Sequence, residues 1–293
     1  MVDRVGYVVI KREDGKLYKL GTDELPLDFK FTIERKAGAI ACFADVSVCG
    51  MKREDVLLYT AFAAKWREMN KHKSLLVYAG YEDEGGAQLL FDGEMYNALP
   101  TMPPEVWVNM KARTCYDLQL TKCEKSILTP TKIEDVCRTA ANWMGKKLLW
   151  MVKKAETNAI VIPQFRCKGT LSELAQQMQD LAPEKIIVSV NEKTGCVEIV
   201  DLDDIQYSAN MMTITKNSGL IGMPTPNPWG VEFDMRLCPS IKRFMPIHLE
   251  SEMIPLLNGD YAVATYKHSG HLRGNEWKTH IMARRIDIYN HGK

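Results

Sequence analysis

Apolar and polar residues alternate with a period of two in short segments near both ends of this chain. In an early segment Phe29, Phe31 and Ile33 alternate with polar residues, and in a late one Val231 and Phe233 do the same. Successive side chains of a β-strand point to opposite faces, so this pattern predicts strands with one buried and one solvated face. Residues 1–128 and 205–293 are therefore predicted to be antiparallel β modules, the first with one helix at residues 53–70.

Glycine and proline separate the predicted strands. The expected turns are Glu84-Gly85-Gly86, Pro100 to Pro104, Asn258-Gly259, Ser269-Gly270 and Arg273-Gly274-Asn275. The segment GMPTPNPWG, residues 222–230, is so rich in proline and glycine that we predict a loop there. Regularly spaced short strands with such turns favour a barrel or a sandwich.

Residues 129–204 have a different pattern, in which a helix followed by a strand occurs twice. Thr131 with Glu134, and Thr170 with Glu173, have the spacing of a capping box at a helix N-terminus. Pro183 ends the second helix, and the strand after it is predicted to form a hairpin with CVEIVDL. The predicted fold class is thus mainly β (α+β), with a small α/β middle domain at residues 129–204.

Composition limits the classes of function. The net charge is +1, which argues against charge-driven binding to nucleic acid or membrane surfaces. The cysteines form no Cys-x-x-Cys pair, no apolar run approaches the ~20 residues of a membrane span, and the N-terminus lacks the apolar core of a signal peptide. We therefore expect no membrane-spanning segment and folding in a reducing cytoplasm.

Catalytic and metal-binding patterns are weak. His268-x-x-His271 together with His280 offers three imidazoles, but residues in a strand–turn–strand segment need not converge on one metal. There is no G-x-S-x-G, P-loop or G-x-G-x-x-G motif. We expect no catalytic residue, no cofactor and no metal, and so no enzyme. GTLSELAQQM faintly resembles the opening of LysM-type modules, which leaves peptidoglycan binding or cell-wall degradation as the alternative function.

The order of residues in the last third of the chain carries a family resemblance. The signature residues are Gly222, Pro224, Gly230, Leu237, Pro239, Gly259, Tyr261, His268, Gly270, Gly274 and Trp277. In this order they resemble the baseplate hub proteins of contractile-tailed bacteriophages, which are related to the hub part of contractile injection system spikes. ADVSVCGMKREDVLLYT and LLVYAGYEDEGGAQLLFDGEMYNA resemble the first barrel of the same family. The chain departs from the pattern at Cys238, and at His271, where the family has an acidic residue.

The resemblance implies two tail-tube-like β-barrel domains flanking the middle domain. It implies a homotrimer whose six barrels form a pseudo-sixfold ring between a hexameric tail tube and a trimeric central spike. The implied partners are the tail tube, central spike, baseplate wedge and tape measure proteins, and DNA would pass through the channel without specific binding. The implied location is the virion tail baseplate, with assembly in the bacterial host cytoplasm.

Overall fold

The computed structural model describes residues 3–11, 15, 17–21, 27–35, 41–56, 73–183, 186–191, 195–201, 211–228 and 230–286. The chain divides into two compact units. The first contains Met1–Lys36, Cys42–Thr114 and Met212–Arg285, and the second is built mainly from Cys115–Met211. Residues 53–56 are helical, and the rest of the helix predicted at 53–70 lies outside the described residues.

The described elements are as follows in chain order. The first β segment contains β1 (Arg4–Lys11), β2 (Leu17–Leu20), β3 (Asp28–Arg35), β4 (Phe43–Cys49), β5 (Lys73–Tyr81), β6 (Gly86–Pro100) and β7 (Trp107–Arg113). The second unit contains α1 (Tyr116–Leu120), β8 (Lys122–Ile127), β9 (Thr131–Lys132), α2 (Ile133–Trp143), β10 (Leu148–Met151), α3 (Ala155–Asn158), β11 (Val161–Ile162), β12 (Phe165–Thr170), α4 (Leu171–Leu181), β13 (Ile186–Val190) and β14 (Val197–Asp201). The last β segment contains β15 (Met212–Ile214), β16 (Leu220–Asn227), β17 (Gly230–Arg236), β18 (Pro246–Leu249), β19 (Gly259–His271) and β20 (Trp277–Arg285).

One sheet of 13 strands, almost entirely antiparallel, forms the first unit. Its strand order is β16-β17-β20-β19-β3-β4-β7-β6-β5-β1-β2, and β18 pairs with both β19 and β15. The prediction of a mainly β, antiparallel chain is therefore confirmed. Among the described residues no strand pairing closes this path into a barrel.

The sheet packs against two hydrophobic cores, one built mainly from each β segment, and the first core also includes Leu237 and Trp277 of the last segment. The first core contains Phe29 and Ile33 of β3 and Val46 of β4, all nearly or fully buried. The second contains Val231 and Phe233 of β17 together with residues of β18, β19 and β20. Burying each such side chain contributes about 1.5–3 kcal/mol, so each segment has its own source of stability.

The predicted loop at residues 222–230 is wrong over most of its length. Residues 220–227 form β16, which pairs antiparallel with β17 and is interrupted by a bulge between Ile221 and Thr225. Gly222 lies in this bulge with φ +70°. β16 is at the edge of the sheet, where proline is tolerated because one row of N–H groups has no partner strand.

The turn predicted at Ser269-Gly270 is also wrong. Both residues lie inside β19, which continues to His271, because they pair with β3 on one side and β20 on the other. The chain reverses instead at Arg273-Gly274-Asn275, as predicted.

The second unit has a three-stranded sheet, β10-β14-β13, and a two-stranded ribbon of β8 with β12. The helix–strand repeat is confirmed as α2 followed by β10 and α4 followed by β13. The predicted hairpin is confirmed as the antiparallel pair β13–β14. Because β8 pairs with β12, this unit begins at Cys115, earlier than the predicted boundary at residue 129.

The two predicted helix caps have different outcomes. The Thr170 side chain accepts from the backbone N–H of Glu173, and the Glu173 carboxylate accepts from the backbone N–H of Thr170, which confirms the capping box. Thr131 is not a cap, because it lies in β9 paired with Ile162, and α2 begins after Lys132. The strands on either side of α4 do not pair with one another: β12 pairs with β8, and β13 pairs with β14.

Candidate functional site

The two β segments are joined by the pairing of β3 with β19, which we call the seam. Its register places Lys267 opposite Glu34, and Ser269 opposite Thr32. Residues directly opposite one another on neighbouring strands point to the same face of a sheet. The seam therefore continues both faces of the sheet, one buried and one solvated, from the first β segment into the last.

The buried side of the seam contains a polar pair, His268 and Thr279. His268 Nδ1 lies 2.9 Å from Thr279 Oγ1, and the backbone N–H of Cys238 donates to the same Oγ1 at 2.9 Å. The Thr279 hydroxyl can accept from Cys238 and also share a hydrogen bond with Nδ1, whose donor depends on the tautomer of His268. Burial lowers the pKa of His268 to about 3, so the imidazole is neutral at physiological pH. A neutral, hydrogen-bonded imidazole avoids the high cost of a buried charge.

Beside this pair, three residues from three adjacent strands pack in close contact. Gly270 is opposite Phe31 of β3 and opposite Trp277 of β20. The Phe31 and Trp277 rings meet edge to face, with centroids 5.5 Å apart and an interplanar angle of 78°. A Cβ at position 270 would lie 2.8 Å from Cε3 of Trp277 and would overlap the Phe31 ring. Glycine is required here because the two rings occupy the space of a side chain.

The solvated side of the seam belongs to a surface that we call the polar face. It consists of the outward side chains of β7, β4, β3, β19, β20 and β17, which the strand registers align in rows. Its members include Arg113, Lys111, Asn109, Asp45, Ser47, Lys30, Thr32, Glu34, Lys267, His271, Lys278, His280, Glu232, Asp234 and Arg236. Acidic and basic groups are interspersed, so the polar face crosses both β segments without a long stretch of one charge.

Short ion pairs connect neighbouring strands on this surface. Lys278 Nζ donates to Asp234 Oδ2 at 2.6 Å, and His280 Nδ1 lies 2.8 Å from Asp234 Oδ1. Burial alone raises the pKa of Asp234, but the hydrogen bonds from Lys278 and His280 outweigh it and hold the pKa below its usual value. The hydrogen bond to Asp234 raises the pKa of Lys278. Both groups therefore stay charged near neutral pH, and each largely cancels the field of the other.

The structure brings only part of the predicted signature together. His268, Gly270, Leu237 and Trp277 meet at the seam, where the backbone N–H of Leu237 donates to the carbonyl of Trp277. Gly274 lies in the β19–β20 turn, where a Cβ would overlap the His271 ring.

The other signature residues lie away from the seam. Gly222, Pro224 and Gly230 belong to β16 and β17, and a Cβ at Gly230 would overlap the carbonyl oxygen of Ala283. Gly259 and Tyr261 lie at the start of β19, and the Tyr261 hydroxyl donates to the carbonyl of Leu257 at 2.7 Å. Pro239 lies in the turn after β17.

The three histidines considered as metal ligands point to different partners. His268 contacts Thr279, His271 Nε2 lies 2.8 Å from Asp28 Oδ2, and His280 contacts Asp234. Within the described ranges there is no cluster of three or more His, Cys, Asp or Glu side chains placed to bind a metal. No described helix has both the length and the apolar character needed to span a bilayer.

Sequence reasoning missed the polar face. The signal was present in the polar half of each alternation, such as Lys30, Thr32 and Glu34 in β3. The alternation does not say which strands are neighbours, so it could not reveal that these side chains line up across six strands.

Three solved structures share this fold. The 43 kDa tail protein of prophage MuSo2 from Shewanella oneidensis aligns with a TM-score of 0.64 at 10% identity, covering 97% of this chain and 99% of that one. The tail protein from Neisseria meningitidis MC58 aligns with a TM-score of 0.64 at 7% identity, covering 97% and 98%. The E. coli c3393 protein, a type VI secretion component described as similar to T4 tail proteins gp27 and gp5, aligns at 0.56 and 9%, covering 89% and 74%.

The two-core sheet and these structural matches define the fold of phage tail proteins and related secretion-system components. At the level of sequence, the family model described as baseplate hub gp41 matches residues 7–282. The chain belongs to this baseplate hub family and is a component of a phage tail. No curated protein sequence matches it.

Proposed function

We propose that this protein is the structural hub of a phage baseplate, acting as a homotrimeric ring without enzymatic activity. Each chain supplies two tube-like β modules, so three chains present six similar modules around a central channel. One side of the ring binds the hexameric tail tube and the other binds the trimeric central spike. Baseplate wedge proteins and the tape measure protein are the further partners, and assembly takes place in the host cytoplasm.

The observation that carries the proposal is the seam. A single sheet continues from one β segment to the other, with a core behind each segment and the polar face in front. A trimer can match sixfold symmetry only if the two modules of each chain keep a fixed angle to one another. A shared sheet provides this, because independently moving modules would not hold that angle.

The sheet ends supply candidate subunit contacts. β2 and β16 are the two ends of the described strand path, and unpaired strand edges are available for pairing with another chain. In β16 the side chains of Ile221 and Met223 are 46% and 58% exposed. Pro224 and Pro226 lack an N–H, so any added strand would pair mainly with residues 220–223. An interface between unlike edges is heterologous, and a heterologous interface closes into a ring when the rotation between subunits divides the full turn evenly.

The polar face is the proposed lining of the channel. DNA binds proteins chiefly through phosphate contacts with clustered Lys and Arg, and this attraction weakens when carboxylates are interspersed. On the polar face, Asp45 is paired with Lys111 at 3.8 Å, and Asp234 is paired with Lys278 and His280. Such a surface is wettable and lets DNA pass without holding it.

The experiment is a mass measurement on the full-length chain at micromolar concentration by native mass spectrometry and light scattering. We expect a trimer of 33.3 kDa chains. Met223→Asp places a charge on β16 and is expected to shift the mass toward monomer while the chain stays folded. Met151→Asp, at an exposed position of the second unit, is the matched control and is expected to remain trimeric.

A chain that stays monomeric at tens of micromolar, alone and after mixing with the tail tube and spike proteins, contradicts the proposal. The alternative, a peptidoglycan-binding or cell-wall-degrading tail protein, has in its favour only the capped helix α4, and such caps are common. Retention of the protein on purified cell wall would favour the alternative, because a hub has no reason to bind it.

A further inference from the structure

Two buried cysteines lie diagonally opposite one another in the β8–β12 ribbon of the second unit. The register places Cys123 opposite Gly169 and Cys167 opposite Lys125. Cys167 and Gly169 are two residues apart on the same strand and point to the same face, so both thiols share one face of the ribbon. Both are in the core of the unit, with 3% and 1% of their surface exposed.

The Cys167 thiol is in contact with Cys123, because its Sγ lies 3.8 Å from the carbonyl oxygen of that residue. Burial, with a smaller contribution from Cys123, raises the pKa of Cys167 to about 12. Both cysteines are free thiols, and a thiol with so high a pKa reacts slowly while it stays buried.

Gly169, opposite Cys123, has a φ of +132°, which departs from ordinary strand geometry, and a Cβ there would overlap the Glu173 carboxylate. Diagonal neighbours in a sheet have Cα atoms about 7–8 Å apart, slightly beyond the usual disulfide range of about 4.4–6.8 Å. A bond at this position would draw the strands together and would be strained, so it would also be readily reduced.

We propose that Cys123 and Cys167 form a reversible disulfide when the protein meets a low-molecular-weight disulfide oxidant. The thiolate of one cysteine attacks a sulfur of the oxidant. It forms a mixed disulfide with that sulfur, and the other half of the oxidant leaves as a small thiolate. The second cysteine thiolate then attacks the protein sulfur of that mixed disulfide and releases the second small thiol. The two protein thiols lose two electrons and two protons in total, and the oxidant is reduced to two thiols.

The bond would act on the second unit alone. It would enclose α2, β10, α3 and β11 in one covalent loop, which restricts the unfolded chain more than the folded one. The oxidised unit should therefore unfold at a higher temperature. Because the thiols are buried, the reaction should proceed through brief opening of the ribbon and should be slow in the native protein.

The experiment is disulfide mapping of the full-length protein after equilibration in oxidised glutathione, with free thiols then blocked by an alkylating reagent. We expect a Cys123–Cys167 crosslink as the dominant intramolecular disulfide, abolished by Cys167→Ala and retained in Cys137→Ala. Cys137 is the matched control, because it is buried in α2 and burial also raises its pKa to about 12. The crosslinked protein should show a higher melting temperature for the second unit, which returns to its starting value after reduction.

Wild-type protein carries the main test, so loss of folding in a variant does not obscure the result. A different dominant pair, or only glutathione adducts at equilibrium, would overturn the proposal. So would an absence of crosslink in mild denaturant, where the ribbon opens often enough for the reaction to occur.

Discussion

Gly270 and Trp277 face one another across the β19–β20 pair so closely that a Cβ on Gly270 would lie 2.8 Å from the indole ring. Phe31 closes the same space from β3. Phe31 is far in sequence from the hairpin that holds Gly270 and Trp277, so this contact fixes the seam at the point where the two β segments meet.

Gly270→Ala is therefore expected to destabilise the first unit. The added methyl group must displace the Phe31 or the Trp277 ring, and such overpacking costs about 1–3 kcal/mol. Chemical denaturation should show the loss in the free energy of unfolding. Thr32→Ala changes the polar face of the same seam and is expected to cost no more than about 0.5 kcal/mol. Equal costs for the two variants would contradict this packing.

Acid should destabilise the protein through His268. Its pKa is about 3 in the folded chain against 6.5 for a free imidazole, so below pH 6.5 the unfolded state binds a proton that the folded state does not. This contribution to stability is complete above pH 6.5 and is lost as the pH falls toward 3. Between pH 6 and 5 the loss approaches about 1.4 kcal/mol per pH unit.

His268→Asn tests this directly, since an asparagine oxygen can accept from Thr279 but does not titrate. The variant should show a shallower loss of unfolding free energy between pH 6.5 and 5 than the wild type, measured by denaturant titration at each pH. His280→Asn, on the solvated polar face, serves as the control. An unchanged slope in His268→Asn would show that His268 is not the titrating group.

The two threonines predicted as helix caps should behave differently. Thr170→Ala removes a side chain that accepts from the backbone N–H of Glu173, and losing such a cap costs about 0.5–2 kcal/mol. Thr131→Ala removes only an exposed hydroxyl that donates to the carbonyl of Thr129. Hydrogen exchange should therefore speed up in residues 171–181 for Thr170→Ala, and should be unchanged in residues 133–143 for Thr131→Ala.

Carboxylates on the polar face should control its affinity for DNA. Wild-type protein is expected not to retain duplex DNA at about 0.15 M salt, because Lys and Arg on this face have acidic neighbours. Asp45→Lys combined with Glu232→Lys should bind DNA, with an affinity that falls steeply as salt rises. Glu124→Lys with Glu156→Lys adds the same charge to exposed sites of the second unit. Equal DNA binding by both double variants would mean that the affinity for DNA depends on net charge and not on the polar face.

The local pattern of the sequence predicted most strands and one helix cap correctly. Phe29, Phe31 and Ile33 are buried as their alternation requires, and Thr170 with Glu173 forms the capping box that their spacing predicts. These features depend on residues only a few positions apart, so a linear reading is sufficient for them.

The errors occurred where a local signal depends on its neighbours in space. Pro224 and Pro226 favoured a loop, yet at a sheet edge the missing N–H costs little and a strand forms. Ser269-Gly270 favoured a turn, yet the space there is filled by Phe31 and Trp277, and a strand with a glycine is what fits.

The sequence by itself determined that the first and last segments of this chain are β. Apolar residues at every second position lie on one face only when the segment is a strand. Only the tertiary structure decided that β3 and β19 pair, and hence that two cores share one continuous polar face. Strand partners and their register depend on contacts between residues far apart in the chain, and alternation is the same for every partner a strand could choose.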